Sequence, residues 1–236
     1  MISQRQISFL ETGRSNPSRE SVLKLAQALK LSPTSTNDLM AAAGYAEAFH
    51  APGWDSDAMA PVRLASAHIL ESHLPYPAVL LTAAGDVLQA NAAFDHALSL
   101  LDDPASLWAR SHGEKPRNLY RLSLHAEGLM PHMANFPEIA RATLQRAARE
   151  AAHQPKLAAD IKEFLSWPHI DPAWLETGNE AGPVIEERYK VAGAVISVFA
   201  VVTTLGAPID IAMGAVRIES YFPANEPSRR RMAAAV

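Results

Sequence analysis

The side chains best placed to do chemistry stand at the start of the chain. Ser3-Gln4-Arg5-Gln6 opens a short amphipathic helix, with Ile7 and Leu10 on its apolar face and Gly13 at its end. Arginine can bridge O6 and N7 of guanine, and glutamine can bridge N6 and N7 of adenine. Gln4, Arg5 and Gln6 therefore suit the reading of base edges. Ser3 caps the helix, and Ser3 and Ser8 are placed to touch phosphates or bases. Arg14 and Arg19 would grip the DNA backbone, which supplies affinity and no sequence information. After Asn16-Pro17 a second helix opens at Ser18 and runs to Lys30, with Val22, Leu25, Ala26 and Leu29 as its buried stripe.

A second constellation suits a small ligand. Asn118 and Arg121 lie three apart on one helical face, with His125 one turn further on. An arginine so placed can hold a carboxylate through two hydrogen bonds. Leu80, Leu88, Phe94, Leu122, Phe136, Val198 and Val201 would form an apolar wall, with Met130 and Met133 at an adaptable mouth. Asn91 joins this set at the start of another helix. The alternative reading is structural: Asn91 and Asn118 as helix caps, Arg121 in an ion pair, and the apolar set as ordinary core.

Catalysis has weaker support. His125, Glu127, His132, Asp210 and Glu219 are the titratable candidates, but no His pair stands at helical ligand spacing, and His68 and His73, five apart, point to different sides of a helix. The motifs of serine hydrolases, phosphate-binding loops and dinucleotide sites are absent. Neither an enzyme nor a metal site is expected, and no cofactor beyond a bound apolar small molecule.

These side chains need elements to hold them. With 236 residues, 48% of them hydrophobic, the chain can form one large domain or two ordinary ones. The absence of cysteine excludes disulfides and thiolate metal sites and fits a cytoplasmic protein. Apolar runs such as 191–205 are too short to span a bilayer. The net charge is −4. Residues 1–45 run the other way: Arg5, Arg14, Arg19, Lys24 and Lys30 against Glu11, Glu20 and Asp38 give five minus three, or +2. A small basic module on an acidic body fits local phosphate contact.

The chain divides near residue 50. Residues 39–45 read as a helix closing the first module, with Gly44 at its end, and 49–58 as a linker. A helix over 59–73, with Val62, Ala65, Ile69 and Leu70 on one face, could connect the domains. Strands are expected at 77–82 and 87–91, then helices at 92–101, 117–124, 135–152 and 156–167. Three strands follow at 184–191, 194–204 and 209–219, with a turn at 206–208. This order suggests an α+β sensor of PAS-like layout with an antiparallel sheet and flanking helices. Residues 226–236, with Arg229, Arg230 and Arg231, read as a frayed basic tail.

The first module, Ser3-Gln-Arg-Gln-Ile-Ser-Phe-Leu-Glu-Thr-Gly-Arg14 followed by Pro17-Ser18 and the Leu-rich helix, resembles the second half of a lambda-repressor/Xre-type helix-turn-helix domain. That family carries two helices ahead of this point, and here only Met1 and Ile2 precede Ser3. Residues 1–48 therefore read as an all-α remnant, with a start expected upstream of Met1. The alternative is a ligand-binding protein that has lost its DNA function through truncation. Residues 59–225 resemble the ligand-binding domain of MmyB-like transcription regulators. Pro75-Tyr-Pro-Ala-Val-Leu-Leu81, Asn118-Leu-Tyr-Arg-Leu-Ser-Leu-His125, Asn135, Thr203 to Asp210 and Glu219 to Ala224 carry this resemblance. It implies a one-component regulator with a PAS-like pocket for an apolar or fatty-acid-like effector. A homodimer on a palindromic operator is expected, with no membrane partner.

Overall fold

A computed structural model describes residues 4–49, 53–151, 154–176, 185–204 and 216–233. They form two compact units, one ending at Met59 and the other beginning at Ala60.

The first unit holds three helices: α1 (Gln4–Glu11), α2 (Arg19–Ala28) and α3 (Pro33–Ala42). Ser18 and Ser32 cap α2 and α3, each accepting from the backbone N–H three residues on, and so satisfy donors that a first helical turn leaves open. Gly13 ends α1 with φ +68. There Arg14 N–H reaches back to Phe9 O and Gly13 N–H to Leu10 O, the paired closure that a left-handed residue permits. Val22, Ala26 and Met40 are buried between the helices. The third helix begins at Pro33, earlier than the 39–45 segment expected, because Ser32 and Pro33 supply a start signal.

The second unit is a five-stranded sheet with helices. Its elements are α4 (Ala60–Ser72), β1 (Ala78–Leu81), β2 (Val87–Ala90), α5 (Ala92–Ser99), α6 (Pro104–His112), α7 (Leu119–Leu124), α8 (Phe136–Ala151) and α9 (Pro155–Phe164), followed by β3 (Glu186–Val191), β4 (Ala194–Thr204), β5 (Arg217–Pro223) and α10 (Glu226–Ala233). The strands run in the order β2-β1-β5-β4-β3, every neighbour antiparallel. Side chains alternate across a strand, so Val79 and Leu81 share the inner face with the main core. Helix α8 buries Ile139, Ala140, Leu144 and Ala147, the spacing of one helical stripe. Helix α9 adds Leu157, Ile161 and Phe164.

Four details differ from the sequence expectations. Helix α6 was not expected: Asp103 caps it and Pro104 opens it, but its buried face includes Ser111 and His112, which break the apolar period. Helix α4 packs on Ser66 and Leu70, leaving Ala65 and Ile69 exposed, because the small Ser66 lets the helix lie against β1 and β2. The residues expected as a frayed basic tail include the helix α10, whose Ser228 and Met232 are buried. Burial of one face stabilises it despite three arginines. The final expected strand is observed over Arg217–Pro223. Residues 205–215, with the expected turn at 206–208, lie outside the described residues.

Candidate functional site

In the first unit, Ser3 lies outside the described residues, and of Gln4, Arg5 and Gln6 only the backbone is described, in the first turn of α1. Ser8 follows on the same helix and is exposed. Arg14 stands just past the Gly13 closure and Arg19 in the first turn of α2, both exposed. The turn between α1 and α2 thus carries two cations where a phosphate could be met.

The five ligand-site candidates of the second unit are occupied with structural work. Asn91 caps α5, accepting from Phe94 N–H and Ala78 N–H and donating to Leu70 O and Tyr76 O. Asn118 caps α7 by accepting from Arg121 N–H, and donates to Ala84 O and Asp86 Oδ1. Arg121, 5% exposed, does make a two-bond carboxylate pair, but its partner is Glu163, at 2.9 and 2.5 Å. Hydrogen bonding from Arg121 holds the Glu163 carboxyl down to about 2. His125 ends α7, accepts from Glu127 N–H and meets the Trp167 ring edge-on; burial lowers its pKa. Phe136 opens α8 and packs on Trp174. The structure gathers Asn118, Arg121 and His125 on α7, as the spacing predicted. Asn91 borders an open hollow beside Leu70 and Gln89, and none of the five lines the apolar cavity described next.

The cavity lies elsewhere. It measures about 90 Å³ and is walled by Phe94 and Leu98 of α5, Ile196 and Val198 of β4, and Met232 of α10, with the rings of Tyr189 and Tyr221. Of the apolar wall expected from the sequence, Phe94 and Val198 line it. Leu80 and Val201 fall on the other phase of their strands, Leu88 sits at the register irregularity of β2, and Leu122 and Met133 belong to the main core. Helix α10 closes one side: Ser197 N–H donates to Ser228 Oγ at 2.9 Å, and Met232 packs with Ile196 and Val198.

A polar group sits on the same face of the sheet. Glu187 and Tyr189 are two apart on β3, and Glu219 and Tyr221 are two apart on β5, with β4 between them. Tyr189 donates its hydroxyl to Glu187 at 2.6 Å, and Tyr221 donates to Glu219 at 3.4 Å. Glu219, 2% exposed, pairs with Arg146 at 3.0 Å and Arg217 at 3.4 Å. Arg217 also pairs with Glu150 at 2.6 Å and donates to the Tyr120 hydroxyl, which in turn donates to Glu150. Both guanidiniums are thus committed to carboxylates, as buried charges require. Among the described residues, Glu187 is hydrogen-bonded by Tyr189 and joined in no ion pair. Burial pushes its carboxyl up to about 7, against the pull of the Tyr189 hydrogen bond, and the neighbouring Glu219 charge raises it further. Burial also lifts both Tyr189 and Tyr221 well above the usual phenol range.

Sequence reasoning did not single out Glu187, Tyr189 or Tyr221. The signal was there, as Glu-x-Tyr occurring in two strands, whose alternation puts both residues on one face. The acid–base candidates are dispersed: Glu219 is tied to arginines, His125 ends a helix, and Asp210 lies outside the described residues. Among the described residues no group of three or more His, Asp or Glu side chains could hold a metal ion, and no helix is long and apolar enough to cross a membrane.

Residues 62–235 match the family described as MmyB-like transcription regulator ligand binding domain, and residues 1–35 match a helix-turn-helix family. Both are regulatory families. No curated protein matches the chain.

Proposed function

The chain belongs to the MmyB-like transcription regulator family, and from that premise we propose that it is a one-component regulator whose DNA affinity answers to a small apolar effector, with a fatty-acid-like hydrocarbon portion, held in the cavity of the second unit. The observation that carries this reading is the cavity itself. Its described walls are almost wholly apolar, it lies within the segment that matches a ligand-binding family, and its polar groups are few and convergent.

On the DNA side, Gln4, Arg5 and Gln6 would read bases, and Ser3, Ser8, Arg14 and Arg19 would position the phosphates. A two-fold homodimer would set two reading helices in successive major grooves of a palindromic operator. An effector shifts operator affinity only as far as it prefers one dimer geometry over the other.

The test is selection from a random duplex pool at two salt concentrations. The proposal expects an enriched palindrome bound with a steep salt dependence. Retention of every duplex with equal affinity would contradict it.

A further inference from the structure

The cavity's hydrogen-bonding capacity says what kind of head group its ligand carries, an inference that rests on the effector reading above. Among the described residues, the polar side chains lining the cavity are Tyr189 and Tyr221. A phenol has one proton to give and lone pairs to receive. Both protons are already spent, Tyr189's on Glu187 and Tyr221's on Glu219. What the two phenols offer a ligand is therefore acceptor capacity.

The charges behind them point the same way. Glu150, Glu187 and Glu219 face two guanidiniums, those of Arg146 and Arg217, and each guanidinium already has a carboxylate. The group carries a surplus negative charge, or is neutral when Glu187 holds a proton. With Glu187 ionised, each of these described guanidiniums is already paired with a carboxylate, and a ligand carboxylate, which only accepts hydrogen bonds, would meet lone pairs and a surplus of negative charge. Arg121, the arginine whose spacing suited a carboxylate, is closed off by Glu163.

We propose that the polar end of this cavity, at Tyr189 and Tyr221 with Glu187 behind them, recognises an amphipathic effector whose head donates hydrogen bonds, an alcohol or a protonated amine on an apolar chain, and discriminates against a carboxylate head. Size adds a condition. The room inside is small, about 90 Å³, so a longer chain enters by displacing Met232, the wall residue on α10.

The experiment follows the methyl resonance of Met232, with methionine methyls labelled in the full chain and the signal assigned through Met232→Leu. Four probes are titrated: xenon, n-hexanol, n-hexylamine and sodium hexanoate. Xenon has no head and reports the apolar cavity alone. Hexylammonium and hexanoate both carry one charge into the protein, so comparing them separates head recognition from simple desolvation. The result expected is that xenon, hexanol and hexylamine shift the signal and that hexanoate binds at least tenfold more weakly than hexylamine. The preference should fall at least threefold in Tyr189→Phe or Tyr221→Phe, with xenon binding retained in both as proof of an intact cavity. Hexanoate binding as well as hexylamine, or a preference unchanged in both variants, overturns the head assignment and leaves the effector reading standing. Failure of xenon to perturb Met232 overturns the cavity reading and this inference with it.

Discussion

Tyr189 donates its phenolic proton to Glu187 across 2.6 Å, and among the described residues no ion pair joins Glu187 to an arginine. The two arginines nearby are committed to Glu219 and Glu150. A buried carboxyl in that position keeps its proton to higher pH than it does in water, and Glu187 is pushed up to about 7.

The linkage has a definite sign. A carboxyl whose pKa is raised on folding contributes stability that is fully present below its unfolded value of about 4.5 and is lost as pH rises through about 7. Wild type should therefore lose melting temperature between pH 5 and 8 relative to Glu187→Gln, whose amide does not titrate. His112, held down to about 4 chiefly by burial, titrates alike in both proteins and cancels. Melting curves of wild type and variant that stay parallel across this window would contradict the assignment.

Glu163 behaves in the opposite sense. Arg121 and Lys115 hydrogen-bond its carboxylate and hold it down to about 2. Its contribution is present above its unfolded value of about 4.5 and is lost as pH falls toward 2. Removing one partner of a buried pair strands the other. Because Glu163 is about a third exposed, solvent weakens the effect, and Glu163→Gln should cost about 1–3 kcal/mol at neutral pH. Chemical denaturation at pH 7 and pH 3 measures both, and the gap between wild type and variant should narrow at the lower pH.

Gly85 has φ +84, and a Cβ there would stand 2.5 Å from the Tyr120 ring. Tyr120 anchors Glu150 and Arg217, so its ring cannot move without disturbing that network. Gly85→Ala should destabilise the second unit by about 2–4 kcal/mol, part backbone strain and part overpacking. A loss under 0.5 kcal/mol, within the ordinary range of surface changes, would mean that the turn has room to relax.

Much of this was legible in the residues. Ser18, Asn91 and Asn118 each sit where a cap belongs and cap the helix expected of them. The strand segments and their antiparallel arrangement were readable except the last, expected at 209–219 and found over Arg217–Pro223. Arg121 shows where local reading ends. Its helical spacing is right for gripping a carboxylate, but the carboxylate comes from Glu163, 42 residues along the chain, a partner that no short-range pattern names. The cavity shows the same limit. Tyr189 and Tyr221 meet only because β4 separates and aligns their strands, so periodicity gives each side chain a face without saying that the two converge. Helix α6 was hidden because a serine and a histidine take the place of apolar residues on its buried face.

For the first unit, Arg5→Ala should relax preference at one operator position and cost about 1–3 kcal/mol there, the value of a good bidentate base contact. Arg14→Ala or Arg19→Ala should weaken every duplex alike and reduce the salt slope by about one. Competition binding against single-base variants of the selected duplex separates these outcomes, and a sequence-neutral loss for Arg5→Ala would remove it from base reading.

In the regulator proposed above, occupancy of the cavity walled by Met232 sets operator affinity. The most direct measurement is anisotropy of a labelled selected duplex titrated with protein, with and without saturating n-hexanol, for wild type and Met232→Trp. The indole should fill the cavity and exclude the alcohol. Hexanol should shift the operator Kd of wild type at least fivefold and leave that of Met232→Trp unchanged. An equal shift in both proteins, or none in wild type while the Met232 methyl reports full occupancy, would contradict it.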